Sequence, residues 1–307
     1  MSSSRPERAG LILVTLILVA AVANLNLAVA NVALPSIAAA FDSSQTMLDL
    51  IAVGYSLGLA ASVLYLGALG DRYGRKLMLL AGTALAVPAS VLAAYAPSDT
   101  VLFCARLLGG FAAGMAFPTT LALITALWSG SARTKSIALW SGIGGAVASL
   151  GPLLSGALLE HFWWGSVFLI TLPLAVVAFV LALLFVPSHV NEATEPVDNL
   201  GGVLSVVVVA AAIMAINFAP VPNKGSLVLG LSAVAIAALI AFYIRQRRAR
   251  SPLYDLGSSS ASSFSRTCSA IRLSRPVCRS CLRQPPWSSS RRDRPSSSTP
   301  SVRGSRS

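Results

Sequence analysis

The chain has 307 residues, of which 55% are hydrophobic and 11% charged, where an ordinary soluble domain carries about 25% charge. That composition excludes a soluble enzyme and describes a membrane protein. The net charge of +12 is unevenly placed: residues 1–256 hold 13 Lys and Arg against 10 acids, and residues 257–307 hold ten Arg and one Asp, so body and tail need separate explanations.

A helix crosses the hydrocarbon core with about 20 predominantly apolar residues. Taken in chain order, runs of that kind lie at 11–34, 47–68, 77–96, 100–127, 137–159, 164–187, 200–219 and 226–244. Their separators carry helix breakers: Pro35, Pro97-Ser98-Asp99, Ser129-Gly130-Ser131 and Pro220-Val221-Pro222-Asn223. The first run has the flanks of a signal peptide, with Arg5 and Arg8 before it and Ala28-Val29-Ala30 as a cleavage pattern. It is too long for one.

Lys and Arg are retained on the cytoplasmic side of a membrane. With the N-terminus inside, the inner segments hold Arg5, Arg8, Arg72, Arg75, Lys76, Arg133, Lys135, Arg245, Arg247, Arg248 and Arg250, and the outer ones only Lys224. Eight spans with both termini cytoplasmic, in the inner (plasma) membrane, follow from that asymmetry. Trp128 and Trp140 are then expected at the inner interface, and Trp163 and Trp164 at the outer. In the second and fourth spans, Gly54, Gly58 and Ser62, and Gly110 and Gly114, put small residues on one face. Such faces let membrane helices approach closely, and this spacing predicts a bundle without predicting a function.

Between the second and third spans the sequence reads Gly67-Ala-Leu-Gly70-Asp71-Arg72-Tyr73-Gly74-Arg75-Lys76. Retention of basic residues explains Arg72, Arg75 and Lys76, but not an Asp and a Gly in a two-helix turn. The string resembles the G-x-L-G/A-D-R-x-G-R-K loop of the major facilitator superfamily, carriers made of two six-helix halves. The resemblance implies that Asp71 and Arg72, with Gly67, Gly74, Arg75 and Lys76, belong to a cytoplasmic latch. Arg106-Leu107-Leu108-Gly109-Gly110 is similar to the family's R-x-x-Q-G stretch, with Gly109 in place of Gln. A guanidinium about two turns into a span must face a polar cavity or a partner, unless it snorkels to the nearby surface.

The fifth span contains Gly142, Gly144, Gly145, Gly151-Pro152, Ser155 and Gly156, and resembles the G-x8-G-x3-G-P-x2-G-G motif of drug–proton exchangers. Plain helix packing is the competing reading. Leu25-Asn26-Leu27-Ala28-Val29-Ala30-Asn31-Val32-Ala33-Leu34-Pro35 resembles the L-D-x-T-x-x-N-V-A-L-P segment of the fourteen-helix drug–proton antiporter branch. Asn26 stands where that branch has a carboxylate and cannot carry a proton. Pro196-Val-Asp198-Asn199-Leu200-Gly201-Gly202 and Ser251-Pro252-Leu253-Tyr254-Asp255-Leu256 also resemble segments of this branch.

The resemblance covers about 10–256 and implies an all-α polytopic membrane protein. Its parts are a cytoplasmic N-terminus (1–10), a six-helix bundle (11–187), two linker transmembrane helices (188–250) and a disordered tail (251–307). It implies proton-coupled efflux of small amphipathic drug-like compounds by alternating access, with Asn26 and Arg106 at the substrate cavity and Gly144, Gly151, Pro152 and Gly156 at a helix contact. Its partners would be the lipid bilayer, a small-molecule substrate, protons, and a second half or a second copy. The alternative is a non-transporting fragment or a subunit needing a separately encoded half.

Residues 257–307 contain 18 Ser, ten Arg, five Pro and no Lys, a composition that cannot cover the entropy of ordering. The abrupt onset after Leu256 suggests an out-of-frame reading of a gene that once encoded a second half. Cys278-Arg-Ser-Cys281 is a weak metal signal, with Cys268 its sole neighbour in type and no His in the tail. Two His in the whole chain, and no carboxylate pair or nucleophile–His pair in the spans, point away from an enzyme, a metal site, a cofactor or a nucleic-acid partner.

Overall fold

Within lipid, a backbone finds no water to bond, so an apolar run satisfies its own N–H and C=O groups by becoming helical. The computed structural model describes residues 8–188, 198–222 and 224–248. Within them it has helices α1 (Ala9–Phe41), α2 (Gln45–Tyr73), α3 (Arg75–Ala94), α4 (Asp99–Leu127), α5 (Gly130–His161), α6 (Ser166–Leu169), α7 (Thr171–Phe185), α8 (Asn199–Phe218) and α9 (Gly225–Arg248). With α6 and α7 counted as one crossing, eight segments among the described residues are long and apolar enough to span a membrane. The fold is all-α, and the chain is a multi-pass membrane protein. Expectations for the tail, including Cys278 and Cys281, and for Pro196 lie outside the described residues.

Side-chain caps set three of the helix starts. Ser44, Ser98 and Asp198 accept from the backbone N–H of Met47, Val101 and Gly201 at 3.3, 3.3 and 3.1 Å, which satisfies donors the first turn leaves free. Asp198 also pairs with Arg245 at 3.2 Å, joining the start of α8 to the end of α9.

One expectation is corrected. Pro35 does not end the first helix, which continues to Phe41. A helical Pro loses a single hydrogen bond, and the segment beyond it is held by packing: Ile37 is fully buried and Phe41 meets Trp164 edge-on at 5.3 Å. Trp128, at the end of α4, is buried in the core, and Trp163 is half exposed.

α4 packs along α2 and α3; α1 lies against α5, α7 and α4; α8 joins the bundle through α2, and α9 packs on α8. The α2–α4 contact is the small-residue face read from the sequence. A Cβ on Gly110 would land on the Tyr55 carbonyl and come within 2.9 Å of the Leu59 nitrogen; one on Gly58 would meet the Leu107 carbonyl; one on Gly114 would meet the Ser62 hydroxyl. Small residues here let two backbones touch.

Among the described residues the interior has two large apolar cores beside a small cluster of Ala23, Tyr55 and Ala113. One gathers Ile12, Leu16, Leu79, Leu123, Ile124 and Ala178, and the other Val29, Ile37, Ile51, Leu102, Val167 and Phe168. Between them along α1 and α4 lies a polar layer.

Candidate functional site

Arg106 is the centre of that layer. Its side chain is 2% exposed, so it does not snorkel. Its Nη1 donates to the backbone carbonyl of Asn26 at 2.7 Å, and its guanidinium carbon lies 4.8 Å from the ring centre of Tyr55 and 5.8 Å from that of Phe168. Such positions over ring faces stabilise a cation where water is excluded. Nε and Nη2 are buried and have no hydrogen-bond partner.

Asn26 lies midway along α1 and is also buried. Its amide donates to the Val22 carbonyl at 3.1 Å, and its Oδ1 accepts from the Thr171 hydroxyl at 3.3 Å. Thr171 in turn lies 3.4 Å from the Ser90 hydroxyl. Tyr55 donates its hydroxyl to the Ala23 carbonyl at 3.0 Å. Five helices thus meet at one layer: α1 through Asn26, α2 through Tyr55, α3 through Ser90, α4 through Arg106 and α7 through Thr171.

Two hollows adjoin this layer. The first, about 10 Å³ and so with room for about one water, is bounded by Arg106, Asn26, Tyr55, Ser90, Ala105 and Phe168. The second, about 20 Å³, is mostly apolar, with Val19, Val22, Ala86 and Ala116 in its wall. Asn26, Tyr55, Ser90 and Gly109 line both. No acidic side chain lines either. Gly109, where the family motif has Gln, leaves its space to the Tyr55 ring, 3.4 Å from where a Cβ would sit.

The α2–α3 turn is a second, separate cluster. Gly74 alone separates the two helices, at φ 109°, and its N–H donates to the Gly70 carbonyl at 3.1 Å. L side chains rarely adopt that backbone region. Arg75 binds Asp71 through Nη2 and Nε at 2.8 and 2.9 Å and reaches the Ala122 carbonyl of α4 at 3.1 Å. Lys76 donates to the Leu183 carbonyl of α7 at 3.0 Å. The cluster thereby ties the ends of α2, α3, α4 and α7 together. Arg72 is exposed and Gly67 faces open space.

The α5 motif divides in two. Gly144 and Gly151 face α1: the Gly144 carbonyl accepts from Asn24 at 3.4 Å, and a Cβ on Gly151 would sit 2.7 Å from that of Ala28. Pro152 and Leu153 point outward, and nothing lies near Gly142, Gly145 or Gly156. Tyr55, Ser90, Phe168 and Thr171 were not singled out by the sequence. The one available signal was their polar or aromatic character inside apolar runs.

The sequence profile of the Major Facilitator Superfamily matches residues 16–245. The chain is 38% identical over 253 residues to the multidrug efflux pump LfrA of Mycolicibacterium smegmatis, covering 82% of this chain and 50% of that protein. It is 35% identical over 254 residues to the methyl viologen resistance protein SmvA of Salmonella typhimurium, covering 81% and 51%. It is 29% identical over 260 residues to the methylenomycin A resistance protein of Bacillus subtilis, covering 82% and 56%. The chain thus spans about half the length of these curated relatives. Among solved structures, the peptide transporter POT in complex with sulfate superposes with a TM-score of 0.60 at 15% identity, over 85% of this chain and 56% of that one. This likeness concerns the fold alone.

Proposed function

This chain belongs to the Major Facilitator Superfamily, and from that membership we propose that it forms one bundle, with two added helices, of a carrier exporting small amphipathic drug-like compounds. The observation that carries the reading is the buried polar layer at Arg106 and Asn26, flanked by two hollows and set between apolar cores. Carriers of this type bind at mid-membrane between two bundles and rock one against the other. The relatives named for drug efflux or resistance support export as the direction.

In this reading the hollows form one wall of the substrate cavity. The opposing wall comes from a second bundle or a second copy of the chain, which meets the outward face of α5 at Pro152 and Gly156. The Asp71–Arg75 cluster, with Arg72, Gly74 and Lys76, is the cytoplasmic latch, and both termini lie in the cytoplasm. Asn26 cannot titrate, so a coupling proton is carried by a group on the second bundle.

A second reading is a subunit or fragment that moves nothing until a separately encoded half joins it. The two are separated by expressing the full chain alone in cells lacking their major efflux pumps and following ethidium loss. Export that stops with Arg106→Met supports the carrier. No export, with the chain inserted normally in the membrane, rejects autonomous transport and supports the subunit reading.

A further inference from the structure

A hollow much larger than those beside Arg106 lies where three helix ends meet. It has about 230 Å³ between the start of α1 (Gly10 and Leu13), the end of α4 (Trp128) and the opening turns of α5 (Ala132, Lys135 and Ser136). Two of its walls carry buried donors with nothing to bond. Ser136 is 5% exposed and Trp128 7%, yet among the described residues the Ser136 hydroxyl has no hydrogen-bond partner. Trp128 is bonded through its backbone alone, its N–H to the Ile124 carbonyl and its carbonyl to Arg133 Nε. Buried donors left in this way cost free energy unless a ligand or water satisfies them.

The charge around the hollow has one sign. Arg8, Arg133 and Lys135 are the ionisable groups on these three ends among the described residues, and no acid is there to offset them. Arg8 lies over the Phe185 ring and Arg133 is held by Trp128, which leaves the Lys135 ammonium without an ionic partner at the hollow's edge. The positive end of the α5 dipole adds to it. The neighbouring surface is apolar: Lys135, Leu139 and Ile143 stand four apart on one face of α5, Leu139 and Ile143 are exposed, and so is Val14, one turn beyond Gly10 on α1. An anion bound here would thus continue onto apolar strips that run along both helices away from their starts.

We propose that this hollow seats the headgroup of an anionic glycerophospholipid, its phosphate taken by the Lys135 ammonium, the Ser136 hydroxyl and the Trp128 indole N–H, and its acyl chains lying along Leu139 and Ile143 of α5 and Val14 of α1. A soluble phosphate would leave those strips uncovered, and a zwitterionic headgroup brings its own cation to a site that already has one. The site goes beyond the carrier reading and holds whether or not the chain transports. Only the leaflet, the cytoplasmic one, rests on the topology given above.

The test uses the full chain in an uncharged detergent, with native mass spectrometry counting the dioleoyl phosphatidylglycerol it retains and helicity checked for every variant. One lipid should bind more tightly than those that follow, and about fivefold more tightly than dioleoyl phosphatidylcholine. Lys135→Gln should weaken that first lipid about fivefold. Gly10→Leu keeps Lys135 but fills the hollow, since nothing lies near a Cβ at that position, and should weaken it at least as much. Lys224→Gln, which removes the same charge from the α8–α9 turn, should leave it unchanged. No preference for phosphatidylglycerol overturns the proposal, as does full binding by either Lys135→Gln or Gly10→Leu, or an equal loss in Lys224→Gln. Glycerol 3-phosphate binding as tightly as the lipid would also overturn it, in favour of a soluble phosphate ester. Because the readout is lipid binding, its failure is distinct from a failure of ethidium export.

Discussion

Replacing Arg106 with Met should make the bundle more stable in detergent. The substitution removes the 2.7 Å bond to the Asn26 carbonyl, a charge-assisted bond that contributes about 1.5–3 kcal/mol. It also removes the ring contacts at 4.8 and 5.8 Å, which contribute roughly 1–2 kcal/mol. Against these losses stands the relief of a desolvated charge and of two buried donors without partners, together about 4–7 kcal/mol. The Asn26 carbonyl lies inside α1 and keeps its helical partner, and the unbranched Met fills the space of the Arg stem. The balance is a gain of about 1–3 kcal/mol, in the direction found when buried ionic groups are replaced by apolar ones. Equilibrium unfolding in mixed micelles, followed by helicity, measures it. A loss of more than about 1 kcal/mol would refute the reasoning, because it would make Arg106 a structural fastener and not a group held ready at a binding site.

Other consequences are equally concrete. Gly110→Val should separate α2 from α4, since its side chain would enter the Tyr55 backbone; about 2–4 kcal/mol of stability should be lost, with lowered membrane yield, and an unchanged unfolding midpoint would contradict the close contact. Gly74→Ala places a Cβ at φ 109° and should cost about 1–3 kcal/mol. Gly67→Ala, in open space inside α2, should instead gain about 0.5–1 kcal/mol, and the two midpoints moving together would reject the assignment of the turn to Gly74. Tyr55→Phe deletes only the bond to the Ala23 carbonyl and should lower stability by about 0.5–1.5 kcal/mol, read from the same unfolding curves.

The eight crossings were legible because each carries its own evidence, a local apolar run of the length a bilayer demands. The α2–α4 contact was legible for a similar reason: small residues four apart share one helix face, and Gly58, Gly110 and Gly114 do meet a neighbouring backbone or side chain. Arg106 was legible as an anomaly, a charge where charge is expensive. Its surroundings were not. Tyr55, Ser90 and Thr171 come from three different helices and are joined to Asn26 and Arg106 by packing alone, so no spacing along the chain announces them. The course of α1 through Pro35 was missed because a breaker signal is local, whereas the burial of Ile37 that sustains the helix is tertiary. The break at Ile170 between α6 and α7 does carry a local mark, Pro173, which has no N–H to give the Leu169 carbonyl four residues back. In α5 the motif read as one unit, but helical geometry turns Gly144 and Gly151 to α1 and Pro152 to the outside.

The central claim is a body that crosses the bilayer eight times with its basic end in the cytoplasm. Cysteine labelling in intact cells tests it most directly, in a background where the four native cysteines are serine. Tyr73 and Tyr95 are 60% and 63% exposed at opposite ends of α3. A membrane-impermeant maleimide should label Tyr95→Cys from outside, and Tyr73→Cys only after the membrane is opened. Labelling of Tyr73→Cys in intact cells, with Tyr95→Cys protected, would contradict the account.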